Sequence, residues 1–199
     1  MVIMAELDFE KAVDKMKDFG YILNPELIRF NKVLGAKDMI RRGIEYFVGN
    51  RNAKWLPQYE EIADWLEWND GKGLLCFGDC GLGKTLICGK ILPLIINHAY
   101  GKVVMCYDCK KINSFIDEIM SKKLIYLDDV GVENESVKFG ERRQCFVELV
   151  DEAEKKGKLL ILTTNLSIED LGEKYGTRTI DRLKAITKTV LFEGQSFRK

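Results

Sequence analysis

The sequence predicts an α/β fold: a five-stranded parallel sheet with helices on both faces, a three-layer sandwich. Three observations predict it. From residue 72 onward, short apolar runs alternate with helical patterns, and strands this apolar are those of a parallel sheet covered on both faces. The stretch GDCGLGKT, Gly78 to Thr85, stands between the first of these runs and a helical pattern. The run LIYLDD places Asp128 and Asp129 at the carboxyl end of a strand, where parallel sheets bind their ligands.

Each element has its own signal. Residues 8–18 read as a short helix with Phe9, Ala12, Val13 and Met16 on one face, and Asn24-Pro25 breaks the pattern. A second helix is expected over 36–48, with Ile40, Ile44, Phe47 and Val48 at helical spacing. A third follows Pro57, turns Tyr59, Ile62, Ala63 and Leu66 inward, and is closed by Asn69-Asp70-Gly71. GLLCF (73–77) is the first strand, followed by the loop and a helix to Tyr100. KVVMCY (102–107) is the second, a helix covers 109–120, and KLIYLDD (123–129) is the third. Arg142, Phe146, Leu149, Val150 and Ala153 mark a further helix, and KLLILTTN (158–165) is the fourth strand. Two short helical stretches lead to TKTVLFEG (187–194), the fifth.

Composition narrows the function. A chain of 199 residues, 46% hydrophobic, makes one domain plus an appendage and needs no disulfides to fold. Lys and Arg total 31, as do Asp and Glu, which argues against a generally cationic nucleic-acid binder and leaves room for a local patch. The six cysteines read as reduced thiols, and Cys106 and Cys109 form a lone C-x-x-C without the second pair or nearby His of a zinc set. His98 ends an apolar helix and is expected to pack there. No apolar run approaches the ~18 residues of a membrane span, and the start MVIMAELDFE lacks a leader pattern. A cytoplasmic protein is expected.

Gly78-x4-Gly83-Lys84-Thr85 is a phosphate-loop pattern in the strand–loop–helix setting it requires. In such a loop the amides of Gly78, Asp79, Cys80, Gly81, Leu82 and Gly83 turn around phosphate oxygens beside a helix N-terminus. Lys84 would reach the β- and γ-phosphates of ATP, and the Thr85 hydroxyl would ligate Mg²⁺. Asp128 would hold the Mg²⁺ through water, Asp129 would orient or deprotonate the attacking water, and Asn165 would stand beside that water and the γ-phosphate.

The series GDCGLGKT, LIYLDDVGVE, ILTTNLS, YGTRTIDRL and EGQSFRK resembles the AAA+ ATPases of the DnaC/IstB group over roughly residues 70–199. The resemblance implies an AAA+ ATPase domain over 56–199, without the C-terminal helical lid that many AAA+ proteins carry, and an N-terminal helical segment over 1–55 that binds a partner. It implies that Asn165 holds the sensor-1 position and that Arg182 is an arginine finger reaching a neighbouring subunit's nucleotide, with Arg178 the competitor for that role. Arg198 matches the family's closing arginine, near the nucleotide or an interface. Self-association through the finger, a replicative helicase and single-stranded DNA are the implied partners.

Two departures from the family pattern bear on function. Many hydrolysing relatives carry Glu where Asp129 stands. The stretch between Cys109 and the third strand is shorter than the family's usual DNA-contacting insertion. Residues 174–199 hold seven basic residues against two acids, a local balance of +5 that suits salt-sensitive DNA binding or contact with ATP phosphates. A helicase loader is the leading expectation. An IstB-like transposition ATPase and a nucleotide-dependent switch with little hydrolysis stand beside it. A small-molecule kinase would need an acceptor site and a lid, and neither is evident in the sequence.

Overall fold

Asp8 starts the first helix, its carboxylate accepting from the Lys11 amide at 3.2 Å, and α1 runs over Phe9–Asp18 with no buried residue. The computed structural model describes residues 7–197 apart from 22, 24, 32, 50–52, 134, 135, 139 and 140. Helices α2 (Ala36–Val48) and α3 (Pro57–Glu67) follow as their periodicity predicts, α3 with Pro57 in its first turn. Phe30, Val33, Ala36, Ile40 and Ile44 share one core with Ile62, Leu66 and Ile91. The Phe, Val, Ile and Leu side chains among these each contribute roughly 1.5–3 kcal/mol on burial. Phe30, Val33 and the buried face of α2 therefore pack on the core of the sheet, while Leu7, Phe9, Phe19 and Tyr21 stay exposed.

Asn69 staples the chain entering this core. Its Oδ1 accepts from the amides of Phe30 (2.7 Å) and Gly71 (3.3 Å), and its Nδ2 donates to the carbonyls of Ile28 (3.0 Å) and Lys72 (3.1 Å).

The main sheet contains β1 (Gly73–Gly78), β2 (Met105–Asp108), β3 (Leu124–Asp128), β6 (Leu159–Thr163) and β7 (Thr187–Phe192), in the order β2-β3-β6-β1-β7 and parallel throughout. Period-two alternation splits its side chains between two cores. Leu74, Cys76, Leu124, Tyr126, Leu159 and Ile161 face α2, α3 and the helical run after the loop. Leu75, Ile125, Leu127, Leu160 and Leu162 face α7 (Cys145–Lys156), α8 (Ile168–Tyr175) and α9 (Thr177–Ile186). This is the expected three-layer sandwich.

Three expectations of detail change. The helix after the loop is α4 (Lys84–Leu86), a π turn (Ile87–Ile91) and α5 (Leu92–Tyr100). Pro93, which has no N–H to donate back to residue 89, sits at the exit of that turn. The helix expected over 109–120 breaks into a 3₁₀ turn (Cys109–Ser114) and α6 (Ile116–Ser121). Asn113 and Ser114, which favour turns over helix interiors, precede Phe115 at φ −123°. Residue 142, expected in a helix, lies in β5 (Glu141–Arg143), which pairs antiparallel with β4 (Ser136–Lys138), and α7 begins only at Cys145.

Candidate nucleotide and metal site

The loop Gly78–Thr85 is built onto the end of β7. The Asp79 amide donates to the Phe192 carbonyl (2.7 Å), Gly194 donates to the Asp79 carboxylate (3.0 Å), and the Phe197 amide donates to Gly81 (3.0 Å). Gly78 has φ +108°, and a Cβ there would lie 2.4 Å from the Phe192 carbonyl oxygen, so only glycine lets the loop leave β1 this close to β7. Tyr59 of α3 braces the far side, donating to the Leu82 carbonyl at 2.8 Å; burial pushes its phenol up to about 12, so it stays a donor.

Lys84, only 6% exposed, donates to the carbonyls of Gly78 and Asp79, both at 2.7 Å. Burial lowers its pKa. The ammonium therefore sits across the mouth of the loop, at the start of α4. Cys80 is exposed.

Asp128 ends β3 beside this loop. Its Oδ1 accepts from Thr85 Oγ1 (2.9 Å), Tyr126 Oη (2.6 Å) and Thr163 Oγ1 (2.7 Å). Burial first, then neighbouring groups, raises the Tyr126 pKa, which keeps it a phenol. Asp129 adopts a left-handed backbone, φ +54°, which Asp tolerates better than most residues. Its amide donates to Thr163 Oγ1 (3.2 Å), and its Oδ1 accepts from Asn165 Nδ2 (3.3 Å). Thr85, Asp128, Asp129 and Asn165 thus gather around one end of the sheet.

The donor set fits Mg²⁺. A hydroxyl and a carboxylate oxygen 2.9 Å apart, beside a phosphate loop, are the hard oxygen ligands Mg²⁺ takes alongside nucleotide phosphates.

The arginines lie elsewhere. Arg182 on α9 pairs through Nη1 with Asp151 and through Nε with Glu154 (3.0 Å), both on α7 of its own chain. Arg178, one helical turn earlier, is exposed. Arg198 lies outside the described residues. Two further members of the basic 174–199 stretch are also engaged internally: Lys174 donates to Gly131 (2.6 Å) and Glu133 (3.0 Å), and Lys188 to Glu61 (3.0 Å).

Sequence reasoning missed Tyr126, Thr163 and Glu133. Tyr126 precedes Asp128 by two residues and Thr163 precedes Asn165 by two, so the strand period puts each on the face of its successor, a signal that was available. Glu133 accepts from Gly131 (2.9 Å), Cys109 (3.1 Å) and Tyr175, tying the turn after Asp129 to the 3₁₀ turn and α8. Burial and Glu133 together raise the pKa of Cys109 and so hold this member of the C-x-x-C as a thiol. Nothing local in the sequence points to that contact.

A phosphate loop on β1 and an acid pair on β3, with the Asn165 strand inserted between them, define a P-loop NTPase of the AAA+ type. The chain belongs to the novel STAND NTPase 3 family, whose model matches residues 56–193. Among solved structures it is similar to the DnaC helicase loader, at 19% identity over 85% of this chain and 93% of that one, with a TM-score of 0.52. A candidate primosome component from Streptococcus pyogenes serotype M3 matches at 17% identity, covering 83% and 84%, TM-score 0.52. AMPPCP-bound DnaA from Aquifex aeolicus matches at 20% identity over 68% of this chain and 45% of that one, TM-score 0.52. At these identities the likeness is one of fold. No curated protein matches the chain. Among the described residues, no helix is long and apolar enough to cross a membrane.

Proposed function

We propose that the protein binds ATP with Mg²⁺, hydrolyses it at a site shared between subunits, and works as a helicase loader in DNA replication. The observation that carries the nucleotide reading is the convergence of Thr85 on Asp128 (2.9 Å) and of Asn165 on Asp129 (3.3 Å) at the mouth of the phosphate loop. In this reading Lys84 leaves the loop carbonyls for the β- and γ-phosphates. Mg²⁺, held by Thr85 and through water by Asp128, would draw charge off the phosphoryl group. Asp129, oriented by Asn165, accepts the proton of the attacking water as the water oxygen bonds the γ-phosphorus and the bond to ADP breaks. Asp129 is one methylene shorter than the Glu of many relatives, so the water must approach its strand more closely.

The likeness in fold to a helicase loader supports a replicative helicase as partner, with single-stranded DNA as the second. In the N-terminal part, 1–55, the exposed apolar side chains include Leu7, Phe9, Phe19, Tyr21, Leu34 and Tyr46, a surface that suits a helix-in-groove contact with the partner. The remainder, 56–199, is the ATPase domain.

One observation favours a second reading, a nucleotide-dependent switch with little turnover of its own. Arg182 is paired inside its own chain, so it serves as a finger only after those pairs open. ATP turnover per subunit against protein concentration, with and without single-stranded DNA, tests both. Turnover that rises with concentration and again with DNA supports the loader motor. Turnover that stays near zero throughout removes it and leaves the switch.

A further inference from the structure

We propose that Tyr126 and Thr163 are a positioning pair for the metal-site carboxylate of Asp128, and that Gly89 is the position that admits the Tyr126 ring. This rests on the Mg²⁺–ATP reading of the site.

The pairing follows from register. Tyr126 of β3 pairs with Ile161 of β6, so two residues further along Asp128 comes beside Thr163, on the same face of the sheet. Both hydroxyls reach the same oxygen, Asp128 Oδ1, at 2.6 and 2.7 Å, and stand 3.4 Å from each other. Thr163 also accepts the Asp129 amide, so its one proton goes to Asp128 and its hydroxyl links the two acids. A carboxylate at a strand end would otherwise rotate freely.

The third donor, Thr85, comes not from the sheet but from α4, the start of the helical run that follows the loop. It is the hydroxyl that must turn a lone pair to the metal. Tyr126 and Thr163, which belong to the sheet, keep Asp128 in place when it does. Preorganisation of this kind lowers the cost of binding because the carboxylate is already oriented.

The Tyr126 ring, 3% exposed, reaches Asp128 by lying against the π turn. A Cβ at Gly89 would sit 2.7 Å from its Cε1 and 3.1 Å from its hydroxyl. Gly89 carries no side chain to touch the acids, yet any side chain there displaces the phenol from Asp128.

The test is a titration of Mg²⁺ into full-length protein with a fluorescent ATP analogue. It reads the Mg²⁺ concentration at half-maximal nucleotide binding, alongside nucleotide affinity in EDTA. Tyr126→Phe and Thr163→Val are expected to raise the Mg²⁺ midpoint about tenfold, the order of a lost hydrogen bond to a charged group, with affinity in EDTA unchanged. Gly89→Ala is expected to do the same, although it removes no polar atom. A Tyr126→Phe midpoint equal to wild type overturns the proposal, as does an equal loss of affinity with and without Mg²⁺. Lys84→Ala is the control on the site itself. If it binds the analogue as wild type does, the nucleotide reading fails, and this proposal with it.

Discussion

Arg182 clasps Asp151 across the interface of α9 and α7, and its Nε holds Glu154 at 3.0 Å. If this guanidinium works in trans, the clasp must open when subunits assemble. Arg182→Ala is then expected to spare nucleotide binding and lower turnover by roughly the 10³–10⁵ that a working finger supplies. Asp151→Ala, which leaves the guanidinium with Glu154 alone, is expected to loosen the clasp and raise turnover at a given protein concentration. Nucleotide-binding and turnover assays on both variants decide the matter. An Arg182→Ala affinity loss as deep as that of Lys84→Ala would sink the finger.

The same clasp titrates. Lys155 first, and then Arg182, hold the Asp151 carboxyl below its ordinary 3.8. A carboxyl depressed in the folded state contributes stability that is fully present above its unfolded value and is lost as pH falls through the folded one. Asp151→Asn is therefore expected to lower Tm by a constant margin at pH 5–7, a margin that closes below about pH 3.8. Thermal unfolding of the two proteins across that range is the measurement. A margin unchanged at pH 3 would show that the clasp does not act through charge.

At the proposed metal site, Asp128→Asn keeps the shape and removes the charge. Mg²⁺-dependent turnover is expected to fall by roughly 10²-fold or more, as when one preorganised electrostatic group is lost. Lys84→Ala is expected to abolish productive nucleotide binding, since its ammonium is the cation held inside the loop. An Asp128→Asn variant with unchanged Mg²⁺ dependence would remove Asp128 from the metal site.

The sheet was legible because each strand announces itself twice, by an apolar run and by the residues at its carboxyl end: glycines after Cys76-Phe77, two acids after Leu127, an Asn after Thr164. The loop and acid pair were legible because their chemistry demands residue types at fixed spacing. The hairpin β4–β5 was not, since Arg142 falls at helical spacing from Phe146 and Leu149 and its partner strand is only three residues long. Nor was the role of Arg182 in its own subunit. Asp151 and Glu154 are one helical turn apart on α7, and only the packing of α9 across α7 brings them to it.

Thiol chemistry gives a direct view of the loop. Cys76, Cys88, Cys109 and Cys145 are buried, whereas Cys80 and Cys106 are exposed. The Cys106 thiol is nonetheless partly covered, which raises its pKa, and it donates to Val104 at 3.6 Å. Cys80 is therefore expected to be alkylated first under native conditions, because the thiolate is the reacting form and access sets the rest. ATP is expected to protect Cys80 and leave Cys106 unchanged. Peptide mass spectrometry after timed labelling reads both sites, and equal labelling of Cys80 with and without nucleotide would place the phosphates elsewhere.

Asn69 is 3% exposed, and all four of its hydrogen bonds go to backbone groups, two of them to residues 28 and 30, about forty positions earlier in the chain. It ties the N-terminal segment to the turn between α3 and β1. Truncation to Ala strands the buried Phe30 amide and the part-buried Ile28 carbonyl. The cost is about 1–3 kcal/mol for each buried group left unsatisfied, less where water can enter. Asn69→Asp keeps the acceptor for Phe30 but loses the donor to Ile28 and adds a buried charge, so it is expected to be at least as damaging. Asn69→Ala is expected to lower global stability by about 2–4 kcal/mol in denaturant unfolding. It should also speed amide exchange at Phe30 ahead of the sheet, because the staple holds residues 28–30 and its partners lie outside the strands of the sheet. Exchange at Phe30 no faster than in β6 would show that Phe30, Trp65 and Tyr100, whose rings stack and meet edge to face, hold the segment without Asn69.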